Sequence, residues 1–413
     1  MTDNTESRPG RALLFSNLAH YYNHVIMLLF PTVALVLENE WGLSFGALLQ
    51  LAFWGYLAYG LAALPAGWLG DRWSTRGMLA VYMVGTGAVT FLTGFAGTPL
   101  QMGLGLTAMG LFASIYHPVG TSFIVKHAVN RGRALGANGV FGTIGVATAA
   151  LIAGVLIDGW GWRMAFFVPG LVCFSTGILF LIFTESAGEE AVAKKQGTAA
   201  GPLQRREVVR AFTILAVTMT CAGFIAQGFL VGLPKVFSER VLLSGFEGIT
   251  GTSTLVTFAL LVGASGQLLG GQLAERFSIK YVYVFMYVLM VPVAVGAAYL
   301  SGAPLVVAAT VFQLVLASSL PAENCLVARF CPEGWHARAY GAKFVLALGV
   351  ASLAVPITGL IRDATGGFFW FFLALAGCAA LVVCFAVFLP HAGPESAAKP
   401  SSEPDAAVPG AAE

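Results

Sequence analysis

An all-helical membrane protein of about twelve spans, arranged as two similar six-helix halves, is the fold class this sequence predicts. Three observations carry that expectation. Hydrophobic residues make up 57% of the 413 and charged residues 10%, against the roughly 25% charged residues of a soluble domain. Long apolar runs recur without the alternation of barrel strands. A ten-residue polar pattern also occurs twice, half a chain apart.

The net charge of +2 is too small for a nucleic-acid partner, and the bases lie in short loops rather than in one patch. Six cysteines (Cys173, Cys221, Cys325, Cys331, Cys378, Cys384) sit mostly inside apolar runs with no CxxC pair, so they are expected to pack rather than to form a disulfide framework. The first apolar run, residues 13–37, is too long for a signal-peptide core and is expected to stay as the first span.

About 20 residues are needed to cross roughly 30 Å of hydrocarbon as a helix. The apolar runs then give spans at 13–37, 45–69, 78–97, 99–126, 135–157, 164–184, 209–234, 247–273, 281–300, 304–329, 340–361 and 368–390. Residues 1–12 form a polar leading segment, 13–184 the first half, 185–208 a charged linker, 209–390 the second half and 391–413 a Pro-, Ala- and Ser-rich tail with the composition of disorder. With both termini cytoplasmic, eighteen of the 22 Lys and Arg fall on the cytoplasmic side, leaving Arg163, Lys235, Arg240 and Arg362 outside. The positive-inside rule therefore orients the chain, with an inner membrane as its expected location.

The repeated pattern is Gly67-Trp-Leu-Gly-Asp71-Arg72-Trp-Ser74-Thr-Arg76 after the second span and Gly271-Gln-Leu-Ala-Glu275-Arg276-Phe-Ser278-Ile-Lys280 after the eighth. Arg131-Gly-Arg133-Ala134-Leu-Gly136 before the fifth span is echoed by His336-Ala-Arg338-Ala339-Tyr-Gly341 before the eleventh. Halves duplicated in this way suit a transporter that rocks about a central site.

Gly67-x-x-x-Asp71-Arg72-x-x-x-Arg76 resembles the cytoplasmic loop signature of the major facilitator superfamily, and the weaker second copy lies where that family repeats it. Gly139, Gly142, Gly145 and Gly154 in the fifth span and Trp160-Gly-Trp162-Arg163 before the sixth fit the same family. Within it, His20-x-x-Asn23 followed by Pro31, Leu43-Ser44-Phe45 and Tyr116-His117-Pro118 resemble the fosmidomycin-resistance-like efflux proteins. That group's pattern expects an acid at the positions of His24 and Val119, and this chain has neither. The resemblance implies a central cavity lined by the first, fourth, seventh and tenth helices.

Ionisable residues inside a span are functional candidates by default. His20 and His24 share one face of the first helix, His117 lies in the fourth and Glu323 in the tenth. Glu323 is the leading candidate for a proton carrier, against a structural hydrogen bond to Asn324 or Gln313. The histidines are candidates for lining the cavity, against helix packing. Asn17, Tyr21, Tyr22, Asn23, Tyr116 and Gln227 could add neutral contacts to substrate. In the loop motif, Gly67 allows close helix approach and Asp71 is a candidate latch with Arg72, Arg76 or the bases before the fifth span, with Glu275, Arg276 and Lys280 as its counterpart. The alternative is that these bases only set topology. Pro118 and Pro321 are expected to break the fourth and tenth helices at corresponding places.

His20 and His24 could hold a metal, but two ligands with no carboxylate or cysteine beside them make a weak site, and no metal or cofactor is expected. No GxxxxGK[ST] loop is present, which argues against ATP-driven transport, and no catalytic constellation can be assembled. The expected activity is gradient-driven transport of a small organic compound, as proton-coupled efflux by a monomer. Uptake is the alternative within the class, and a receptor or scaffold that keeps the fold without transport is the alternative outside it.

Overall fold

The computed structural model describes residues 7–184, 205–331 and 341–390. The linker residues 185–204, the tail 391–413 and the second-copy residues His336, Arg338 and Ala339 lie outside the described residues. Every regular element among the described residues is helical. In chain order the membrane-length helices are α1 Gly10–Trp41, α2 Phe45–Arg72, α3 Thr75–Thr93, α4 Pro99–His127, α5 Arg131–Trp160, α6 Met164–Phe183, α7 Arg206–Arg240, α8 Gly248–Arg276, α9 Ile279–Tyr299, α10 Gly302–Phe330, α11 Gly341–Thr365 and α12 Phe369–Ala386. Eleven are apolar enough to cross a membrane on length and composition alone.

The twelfth, α3, is diluted by Arg76 and by the buried threonines Thr75, Thr86, Thr90 and Thr93. Its 19 residues still span about 28 Å at ~1.5 Å per residue. Thr90 and Thr93 donate their hydroxyls to the carbonyls of Thr86 and Val89 one turn back, which removes their demand for outside partners.

The main packings of the first half recur in the second. α1 lies along α5 as α7 lies along α11, α2 along α4 as α8 along α10, and α3 along α6 as α9 along α12. The halves meet through α2 against α11 and α5 against α8. Glycine permits both seams. A Cβ on Gly60 of α2 would lie 2.2 Å from the backbone nitrogen of Gly349 in α11, and one on Gly154 of α5 would lie 2.6 Å from Ser253 Oγ in α8.

Proline shapes α1 and α4. α1 is interrupted between Met27 and Phe30. Pro31 has no N–H for the Met27 carbonyl four residues back, and Tyr56 of α2 supplies the missing donor at 2.7 Å. α4 breaks between Ala113 and Tyr116, where Pro118 likewise leaves the Ser114 carbonyl without a helical donor. The expected break at Pro321 is not found: α10 is continuous from Gly302 to Phe330. Gly266 and Gly270 of α8 press directly on the backbone of Leu314 and Ser318 in the preceding turns and back the helix on that side. The irregular helix of the second half is instead α11, where a π turn, Val345–Gly349, runs into a 3-10 turn, Val350–Leu353. That stretch is wedged between Gly60 of α2 and Gly223 of α7, whose Cβ would lie 2.5 Å from the Ala347 carbonyl oxygen.

Candidate functional site

α1 and α4 bring His20, His24 and His117 together, with one ring nitrogen of each within 4.8 Å of the others. One helical turn separates His20 from His24 and sets their Nε2 atoms 3.2 Å apart. His20 Nδ1 donates to the main-chain carbonyl of Asn138 in α5 at 2.8 Å, which leaves its Nε2 as the acceptor for His24. The ring has room there because position 142 is glycine: a Cβ would lie 2.4 Å from the His20 ring. Tyr116 stacks on the other side of His20, with centroids 4.9 Å apart. Its hydroxyl donates to the Ser16 carbonyl at 3.0 Å and accepts from the Asn138 amide at 2.8 Å.

Asn138 is thus the hub of the cluster and was not among the sequence candidates. A lone amide in a glycine-spaced span was the available signal. Asn23 is buried one turn from His20, donating to the Ala113 carbonyl at 2.8 Å and accepting from Tyr59 at 2.5 Å. It braces α1 against the break in α4. Asn17 reaches the Asn138 amide, while Tyr21 and Tyr22 spend their hydroxyls on Thr148 and Thr176.

Glu323 is buried in α10, and its partner is neither Asn324 nor Gln313. One oxygen lies 2.8 Å from Lys343 Nζ on α11, and the other accepts from Tyr283 of α9 at 3.1 Å. Lys343 also donates to Asn324 Oδ1 at 2.5 Å. Lys343, inside the expected eleventh span, was not among the sequence candidates, yet it stands beside a buried acid. Next to it, Phe344 stacks on His117 with centroids 5.4 Å apart. The acid of one half and the histidines of the other thereby meet through two consecutive residues of α11. Gln227 of α7 is buried with its Nε2 unpaired among the described residues, a position that suits a polar ligand or water.

The loop motif divides into two jobs. A Cβ on Gly67 would lie 3.0 Å from Pro118 Cβ, so this glycine lets the end of α2 approach the bend in α4. Arg76 donates to the Thr184 and Leu181 carbonyls at 2.6 and 2.7 Å, closing the C-terminal end of α6. Lys280 holds the turn that follows α12, donating to the Leu389 carbonyl at 2.7 Å. Arg76 thereby satisfies orphan carbonyls at a helix end. The expected latch is not assembled in this conformation: Asp71 is exposed and makes no ion pair among the described residues, and Arg72 lies 4.4 Å over the Trp68 ring. Glu275 and Arg276 are exposed as well.

The opposite end is tied across the halves. Lys235 of α7 reaches Glu38 of α1 at 2.5 Å and Glu239 at 3.2 Å, and Glu239 receives Arg362 of α11 at 2.8 Å. Asp363 accepts from Ser44 Oγ at 2.6 Å and from the Gly46 N–H at 3.0 Å, and Asp158 of α5 accepts from the Thr250 N–H of α8 at 2.7 Å.

Two repeated six-helix units, meeting on glycine seams with ionisable groups between them, define a secondary transporter of the membrane. The chain belongs to the Major Facilitator Superfamily, whose family model matches residues 13–342. The fosmidomycin resistance protein of Escherichia coli K12 is 24% identical over 87% of this chain and 89% of its own length. A "probable sulfoacetate transporter" of Cupriavidus necator is 24% identical over 63% of each chain, so the match spans less than two thirds of that relative. Among solved structures, a bacterial homologue of the human lysosomal transporter Spinster, inward-facing and unoccupied, superposes with a TM-score of 0.70 at 16% identity, covering 92% of this chain and 94% of its own. A D-xylose–proton symporter gives 0.69 at 14% identity, covering 92% and 95%.

Proposed function

We propose that this protein exports a small organic compound in exchange for protons, by alternating access, with the basic ends of its helices in the cytoplasm. The observation that carries the reading is the buried Glu323 held by Lys343 and Tyr283, with Phe344 joining that group to the histidines of the other half. A carboxylate that gains a proton no longer needs its ammonium partner, so protonation of Glu323 frees Lys343 and lets α11 shift against α4. Export rather than uptake is supported by the resemblance along most of the chain to a resistance protein. The orientation rests on the distribution of Lys and Arg.

The test uses purified protein in proteoliposomes loaded with a pH-sensitive dye, with fosmidomycin and sulfoacetate as the first compounds. A transported compound should drive proton movement in the opposite direction. Glu323→Gln should keep exchange, which needs no net proton flux, and lose accumulation against a pH gradient. Transport with no proton movement, or gradient-driven transport by Glu323→Gln at the normal rate, would remove the proposal. Impermeant thiol labelling of Ala199→Cys and Ala411→Cys from outside intact cells should fail, and ready labelling would reverse the orientation.

A further inference from the structure

We propose that His20, His24 and His117 form a binding site for a divalent transition-metal ion of the zinc, cobalt, nickel or copper type. The proposal stands on the geometry of the three rings and does not depend on proton-coupled export. The trio is the one group of three or more potential ligands found together among the described residues, and each of the three residues is half-buried.

Metal–nitrogen bonds of about 2.0 to 2.1 Å place two nitrogens of a tetrahedral site about 3.3 Å apart. The Nε2 atoms of His20 and His24 are already 3.2 Å apart. His20 is oriented as a metal-bound imidazole commonly is, with its second nitrogen donating to a backbone carbonyl, here that of Asn138. Neither ring nitrogen of His117 hydrogen-bonds to a described residue, so a lone pair there is free to ligate. An ion entering between the rings takes the place of the proton shared by the two Nε2 atoms. That proton moves to Nδ1 of His24, and all three imidazoles stay neutral.

Borderline-soft imidazole ligands select first-row transition metals and disfavour magnesium and calcium, which take oxygen ligands. Three protein ligands leave the fourth position for water or for an anionic group that travels with the metal. Such an anion also offsets the doubly positive charge, because no carboxylate belongs to the cluster.

The experiment titrates Co²⁺ into the full-length protein in detergent, freed of any affinity tag and stripped with a chelator, and follows the visible ligand-field absorption. Saturation at one Co²⁺ per chain with displacement by Zn²⁺ is expected. His24→Gln and His117→Gln should each weaken binding by about tenfold or more, while His127→Gln, outside the cluster, should bind as wild type does. X-ray absorption on the wild-type cobalt complex should count three imidazole nitrogens, a readout that does not need the variants to fold. Wild-type binding no stronger than that of the triple glutamine variant, unchanged binding in both single variants, or a coordination sphere without three imidazoles would each overturn the proposal.

Discussion

His117 of the first half and Phe344 of the second lie ring against ring, their planes 20° from parallel. Such a pair contributes about 0.5 to 1.5 kcal/mol beyond the area it buries. A double-mutant cycle between His117→Ala and Phe344→Ala, read by denaturant unfolding in detergent, should return a coupling of that size. On the proposed mechanism, Phe344→Ala should also slow substrate exchange, since it removes a ring contact between α4 and α11. Additive single effects would show that the rings only share a boundary.

Removing Lys343 should be worse than removing both members of its pair. A buried charge left without its partner costs about 3 to 5 kcal/mol, and Glu323 is 2% exposed. Lys343→Met should therefore lower the melting temperature more than the double variant Lys343→Met with Glu323→Gln, measured side by side.

The α2–α11 seam makes a steric prediction. Gly60→Ala places a methyl 2.2 Å from the Gly349 nitrogen, whereas Gly139→Ala meets nothing within 4 Å. Overpacking of this kind costs about 1 to 3 kcal/mol. Gly60→Ala should lower stability and yield, and Gly139→Ala should change neither.

Asp71→Asn should leave the melting temperature unchanged, because the carboxylate has no ion-pair partner among the described residues in this conformation. If the latch forms when the transporter turns, transport falls all the same. Normal turnover in proteoliposomes at matched protein density would restrict the motif's acid to topology.

Arg76→Ala should destabilise the first half by about 1.5 to 3 kcal/mol, the usual worth of hydrogen bonds to a charged group. Arg76→Lys should recover part of that, since Lys280 holds the turn after α12 with a single ammonium. Thermal melts of the three proteins decide it.

The parts of the molecule legible in the sequence are those written as composition or as local spacing. Span lengths followed from apolar runs, the halves from the repeat at Gly67 and Gly271, and the shared face of His20 and His24 from a four-residue interval. The rest depends on pairs far apart in the chain. Asn138 meets His20 across 118 residues, and nothing near Lys343 in sequence marks it as the partner of Glu323. The irregular stretch of α11 runs up to Pro356, which has no N–H for the Ser352 carbonyl four residues back, and its π turn lies against Gly60 and Gly223 of neighbouring helices. Proline is only a partial guide, since Pro118 follows a break and Pro321 does not.

Arg76, at the start of α3, holds the last turn of α6, and Lys280, at the start of α9, holds the turn after α12. The final helix of each half is thus stitched to the third helix of the same half by one basic side chain, at the points where the linker and the tail begin.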